Sequence, residues 1–151
     1  MPISRVIAAV AAVLACAAAA QAQSEQQTEV VAVREAGAPA EVDLDALLWV
    51  ARPLVIFADS AADPRFGQQM AMLEEGRTEL EDRLVVVLTD TDPDANGPLR
   101  RELRPRGFGL VLLDTDGTVV QRRPAPTTVR ELSGTIDRLP SRRQETGSRR
   151  R

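Results

Sequence analysis

A chain of 151 residues with a formal net charge of −3 carries one cysteine and no histidine, so it has room for one ordinary domain and no imidazole for acid–base or zinc chemistry. All 19 basic residues are arginine, and the four aromatic residues, Trp49, Phe57, Phe66 and Phe108, stand in apolar runs. Stacking on nucleic-acid bases or sugars has little to work with.

The first 22 residues have the three parts of a secretory signal peptide: Arg5 near the start, an Ala/Val-rich uncharged run from Val6 to Ala20, and the small-x-small triplet Ala20-Gln21-Ala22. Cleavage after Ala22 and a periplasmic or secreted mature chain are expected. The run falls short of the roughly 20 residues of a membrane span. Cys16 follows Val13-Leu14-Ala15, a weak lipoprotein box, which opens the alternative of a lipid anchor at that cysteine. Residues 23–41 are polar and read as a flexible linker with one short extended piece at Val30 to Val33.

The folded unit is expected over residues 42–140. Leu44, Leu47, Leu48 and Trp49 are spaced as a helical turn packed on the domain. Leu54 to Ala58 is a continuous apolar run, as a strand buried on both faces requires. Asp63-Pro64 pairs an N-cap with a proline at the first helical position. The spacing of Phe66, Met70, Leu73 and Leu80 then predicts a helix from Pro64 to Asp82. Leu84 to Leu88 is a second apolar strand, parallel to the first. A long polar link follows, with one helical turn near Leu99 to Leu103.

Phe108 to Leu113 and Thr118 to Arg122 form an antiparallel hairpin across the turn Asp114-Thr115-Asp116-Gly117. Thr128 and Glu131 make a capping box for a last helix lined by Val129, Leu132, Ile136 and Leu139, with Pro140 as its stop. Residues 141–151 are arginine-rich and read as a basic disordered tail. The order β-α-β, long link, β-β-α is a thioredoxin-like α/β sandwich around a mixed four-stranded sheet.

Trp49 to Ala58, Ser60 to Arg65, Arg83 to Val87, Gly107 to Gly117, Ile136 to Pro140 and Arg142 to Glu145 together resemble the P-DUDES family. These are bacterial exported relatives of the vertebrate extracellular DUDES domain, placed among thioredoxin-like folds. The resemblance covers most of residues 45–145 and implies that fold. It brings no catalytic residues, no cofactor and no assigned function.

Thioredoxin-like enzymes place a reactive cysteine where the first strand meets its helix, since the helix N-terminus favours thiolate. Here that place reads Ala58 to Arg65 without sulfur, and no histidine is at hand to activate Ser60. Three readings follow. The first is an exported non-catalytic binding or interaction module, with Ser60, Asp63 and Arg65 as ligand- or partner-binding residues at a helix N-terminus. Its partner would be an envelope protein or a small ligand, not nucleic acid. Arg100, Arg101, Arg104, Arg142 and Arg143 are further partner-binding candidates, with Arg106 beside them and the acids of residues 90–94 as balancing charge. The second is a calcium-stabilised domain on the acidic loop 90–102, where Asp90, Asp92, Asp94, Asn96 and Glu102 supply oxygens. Its closing acid falls one residue early for a standard calcium loop. The third is an enzyme of unrecognised chemistry at Ser60 and Asp63. No cofactor is expected.

Overall fold

The computed structural model describes residues 34–35 and 43–148. The expected signal peptide with Cys16, most of the expected linker and Arg149 to Arg151 lie outside the described residues. Along the chain come strand β1 (Arg34–Glu35), a 3-10 turn (Asp45–Leu47), β2 (Arg52–Phe57), α1 (Pro64–Glu75), α2 (Arg77–Glu81), β3 (Val85–Asp90), α3 (Pro98–Leu103), β4 (Gly109–Leu113), β5 (Val119–Arg123), α4 (Val129–Ile136) and α5 (Pro140–Ser148).

The sheet order is β1-β3-β2-β4-β5. β2 and β3 run parallel, while β4 is antiparallel to β2 and β5 to β4. The four strands of the expected mixed sheet are all present. The two-residue β1 adds a fifth beside Leu88 and Thr89 of β3, slightly downstream of the extended piece expected at Val30 to Val33. Every residue of β2 and of β3 is buried, because helices cover both sheet faces. Leu54, Ile56, Val85, Val87, Leu110 and Leu112 face α1, α2 and α4 through Leu73, Leu80, Leu132 and Ile136. Val55, Phe57, Leu88 and Val111 face Leu99 and Leu103 of α3 and the 3-10 turn.

Three expectations are corrected. The helix expected to run unbroken to Asp82 stops at Glu75 and restarts at Arg77. Gly76 backs directly onto α4, where a Cβ would lie 2.6 Å from both Val129 methyls. Trp49 is 78% exposed with a left-handed φ of 63°, so the turn packs through Leu44 and Leu47 while Trp49 faces outward. Pro140 does not close the last helix as a mere stop. It opens α5, so residues 141–148 are ordered helix and not a disordered tail; proline suits the first helical turn, where its missing N–H is not needed.

Candidate functional site

At the β2–α1 junction, where thioredoxin-like enzymes carry their reactive cysteine, the polar groups are engaged with one another. Asp63 caps α1 by accepting the Arg65 backbone N–H at 2.9 Å. Its two carboxylate oxygens also take Arg65 Nε and Nη2 at 3.1 and 2.8 Å. The Arg65 side chain, first by hydrogen bonding, holds the Asp63 carboxyl below the usual carboxylate range. Ser60 Oγ accepts the Ala62 N–H at 3.1 Å, an arrangement that fixes the loop. The Arg65 guanidinium also lies 5.0 Å above the Phe108 ring. Asp59, Ser60, Ala62, Asp63, Pro64 and Arg65 line a shallow depression of about 530 Å³. Ser60, Asp63 and Arg65 are therefore brought together as expected, but as the cap and brace of α1.

The calcium reading meets a different arrangement. Asp90 is buried at the end of β3 and bound to Arg100, whose Nε reaches Asp90 Oδ1 at 2.8 Å. Arg100 Nη2 donates to the Ala58 and Asp90 carbonyls at 2.7 and 3.1 Å, and the guanidinium lies 5.5 Å from the Phe57 ring. Arg100 is 8% exposed, so its place among partner-binding residues is corrected: it is an internal clamp joining the ends of β2 and β3. Asp92 turns its carboxylate onto the Asp94 and Ala95 N–H groups, making an Asx turn. Glu102 lines a separate crevice with Leu44, Leu47 and Asp114. Asp90, Asp92, Asp94, Asn96 and Glu102 do not converge, and among the described residues no group of three or more acids could hold a metal ion.

The largest polar cluster was not anticipated. Arg52, at the start of β2, is fully buried. Its Nε binds Asp114 Oδ1 at 3.1 Å, its Nη2 binds Glu145 Oε1 at 2.6 Å and Ser141 Oγ at 2.9 Å, and its Nη1 donates to the Arg83 carbonyl at 3.0 Å. Arg142 braces Glu145 at 3.1 Å, and Arg83 holds Asp137 at 2.8 Å. Arg142 is thus another predicted surface contact that the structure turns inward, because α5 lies along the sheet end where Arg52 waits. Arg143 stays exposed. An arginine preceding a proline in an apolar strand reads in sequence as a solvated end, and Asp114 read as a turn residue; neither signals its distant partner.

Arg101 and Arg104 are exposed and have no ion-pair partner among the described residues. Arg106 is likewise exposed and unpaired there. The acids of residues 90–94 do not balance this cluster as expected: the ion pair of Asp90 is with the buried Arg100, and Asp92 and Asp94 form none among the described residues. Of the two arginines of β5, Arg122 joins the cluster. Arg122 Nη1 donates to the Leu103 carbonyl at 2.6 Å, which seats the end of α3 against β5. Arg123 pairs with Leu110, four residues after Arg106. Both β5 arginines are exposed and lack ion pairs among the described residues. Glu131 lies near enough for Arg123 to favour its charged form, yet its carboxylate is bound first by Thr128.

Residues 43–145 match the family model described as a domain of unknown function, DUF4174. The chain belongs to that family. The DUF4174 match takes in α5 as far as Glu145, so the Arg52 cluster lies wholly within the family domain. No curated protein matches the chain. Among solved structures, a reduced 2-Cys peroxiredoxin of Plasmodium vivax superposes with a TM-score of 0.57 at 12% identity, over 68% of this chain and 85% of that one. A thioredoxin peroxidase I of Plasmodium yoelii gives 0.52 at 13% identity, over 67% and 79%. At such identities the likeness shows the fold, which is thioredoxin-like. Among the described residues no helix is long and apolar enough to cross a membrane.

Proposed function

We propose that this DUF4174 chain is an exported, non-catalytic interaction module on a thioredoxin-like scaffold, of the DUDES-like kind its sequence resembles. One observation carries the reading. Arg101, Arg104, Arg106 and Arg122 are exposed along α3, the link to β4 and β5, with Arg122 reaching the end of α3, and Arg123 stands on the opposite face of β5; none has an ion-pair partner among the described residues, on a chain whose net charge is negative. Exposed arginines without counter-charges keep forked donors for carboxylate or phosphate, in Arg122 those left beside its bond to the Leu103 carbonyl. The junction supports the non-catalytic half: the sole cysteine, Cys16, lies in the signal segment, and Ser60 and Asp63 are held in local hydrogen bonds. Export is supported by Arg5, the apolar run and Ala20-Gln21-Ala22.

The test takes the processed protein from the cell envelope. N-terminal sequencing is expected to read from Gln23, and peroxide consumption with a thiol reductant is expected to stay at the buffer rate. A start at Met1 would remove the export half. Turnover that disappears in Ser60→Ala, with folding intact, would replace the interaction module by an enzyme.

A further inference from the structure

We propose that the outer edge of β5 receives an extended acidic polypeptide segment, which adds to the sheet as a sixth strand and sets neighbouring carboxylates against Arg122 and Arg123. The inference deepens the interaction reading and rests on it.

Two independent features define the occupant. The first is the edge itself. β5 closes the sheet order, so the outward N–H and C=O groups of Val119 to Arg123 have no strand partner among the described residues. Only another polypeptide backbone matches such a row of alternating donors and acceptors. A lipid headgroup or a sugar polymer offers no matching ladder. The second feature is side-chain chemistry along that edge. Arg122 and Arg123 stand on opposite faces of β5, as successive strand residues must, and each is exposed. Side chains directly across a strand pair share a face and come within about 5.5 Å, so two consecutive acids in the incoming strand would each meet one arginine. At the other end Val119 is 38% exposed, which suits a small apolar residue in the same segment.

Charge on an edge strand commonly prevents unwanted pairing. Here it makes that prevention selective. In-register parallel pairing of β5 with β5 of a second copy would set Arg122 and Arg123 of one chain against the same residues of the other, and like charges across strands oppose pairing. An acidic strand reverses the sign. The irregularity between Leu112 and Leu113, where Val120 is the extra residue opposite β4, leaves Gln121 to Arg123 in regular register with Leu112 to Leu110. The charged half of the edge is therefore the regular half. Arg106, exposed just before β4, adds positive potential at that end.

The probe is a fluorescein-labelled peptide, Thr-Glu-Glu-Thr-Val-Val-Thr, titrated with the full processed chain and followed by anisotropy. Saturable binding is expected, weakened about tenfold or more in R122E/R123E and reduced in about 0.3 M salt. R122Q/R123Q, checked by circular dichroism, is expected to fall between the parent and the reversal. A peptide N-methylated at alternate residues keeps every charge but cannot complete the ladder, and is expected not to bind. Equal binding of the N-methylated peptide overturns strand addition. Unchanged affinity in R122E/R123E overturns the arginine role, and absence of saturation up to millimolar peptide overturns the proposal as a whole. Tighter binding to a sulfated oligosaccharide or to phosphatidylglycerol vesicles than to the peptide assigns the face to another class of partner and also overturns it. Each of these leaves the broader interaction reading standing, whereas enzymatic turnover lost in Ser60→Ala would end that reading without altering the titration.

Discussion

Glu145 on α5 grips Arg52 on β2 with both carboxylate oxygens, at 2.6 Å from Nη2 and 3.4 Å from Nη1. The two residues are 93 positions apart, and the pair fastens the C-terminal helix to the end of the sheet. α5 contributes no buried residue of its own, so its position depends on Ser141, Arg142 and Glu145 more than on apolar packing. Removing one member of a buried pair strands the other. Glu145→Ala is expected to destabilise the domain by about 2–3 kcal/mol, less than a full loss because Asp114, Ser141 and the Arg83 carbonyl still serve Arg52. Arg52→Ala, which leaves Asp114 and Glu145 without their shared partner, is expected to lose about 3–5 kcal/mol. Urea titrations measure both. Amide exchange over residues 140–148 is expected to accelerate in Glu145→Ala before any other helix.

The same pair gives a pH dependence with a definite sign. Burial alone would raise the Glu145 carboxyl, but hydrogen bonds from Arg52 and Arg142 and their charges hold it below its ordinary 4.5. The Asp137 carboxyl is held below 3.8 chiefly by the Arg83 hydrogen bond. A carboxylate whose folded value is depressed binds fewer protons in the folded state. Its stabilisation is complete above the unfolded value and is lost as pH falls through the folded value. Stability from these groups is therefore expected to be level near neutrality and to fall below pH 4.5. Urea midpoints at pH 7, 5 and 3 follow it, and Glu145→Gln is expected to flatten the acid limb.

Gly76 separates α1 from α2 because no side chain fits there. Gly76→Ala would gain helical propensity, yet its methyl would meet Val129 at 2.6 Å. Overpacking of this kind destabilises by about 1–3 kcal/mol. In Val129→Ala the obstructing methyls are gone, so adding Gly76→Ala to that background is expected to be neutral or stabilising. A double-mutant cycle in urea reads the coupling; additive losses would show that the contact with α4 does not set the break.

Trp49 occupies a left-handed backbone with its N–H donating to the Thr115 carbonyl at 2.6 Å, while its ring is largely in solvent. Left-handed geometry costs a residue with a Cβ about 1–2 kcal/mol, and this ring recovers little by burial. Trp49→Gly is expected to raise stability by about 1 kcal/mol. A lower thermal midpoint in that variant would mean that the indole makes stabilising contacts in solution.

Much of the scaffold was legible because its signals are local. The apolar runs in β2 and β3, the Asp63-Pro64 start of α1 and the Thr128–Glu131 capping box each declare themselves within a few residues, and each is present. What escaped was long-range. Arg52 finds its counter-charges 62 and 93 residues away, and α5 has too little apolar periodicity to advertise a docked helix. Asp90 looked like a cation ligand because oxygen residues follow it at alternate positions, but Arg100 folds back onto it. Gln69 was lost among polar helix residues, although it is fully buried and exchanges two hydrogen bonds with the Thr127 backbone. The arginine seam was half visible: Arg101, Arg104 and Arg106 are a run in sequence, while Arg122 joins them only through the hairpin.

The most direct test of the interaction reading compares two faces of the folded protein in the cells that make it. A photo-crosslinking amino acid is placed either at Val119, on the β5 edge, or at Ser60, in the junction loop, and adducts are quantified after irradiation of cells. The account predicts a discrete adduct through position 119 that R122E/R123E suppresses, and no adduct of comparable yield through position 60. Adducts confined to position 60 and indifferent to R122E/R123E would contradict it and return the working face to the β2–α1 junction.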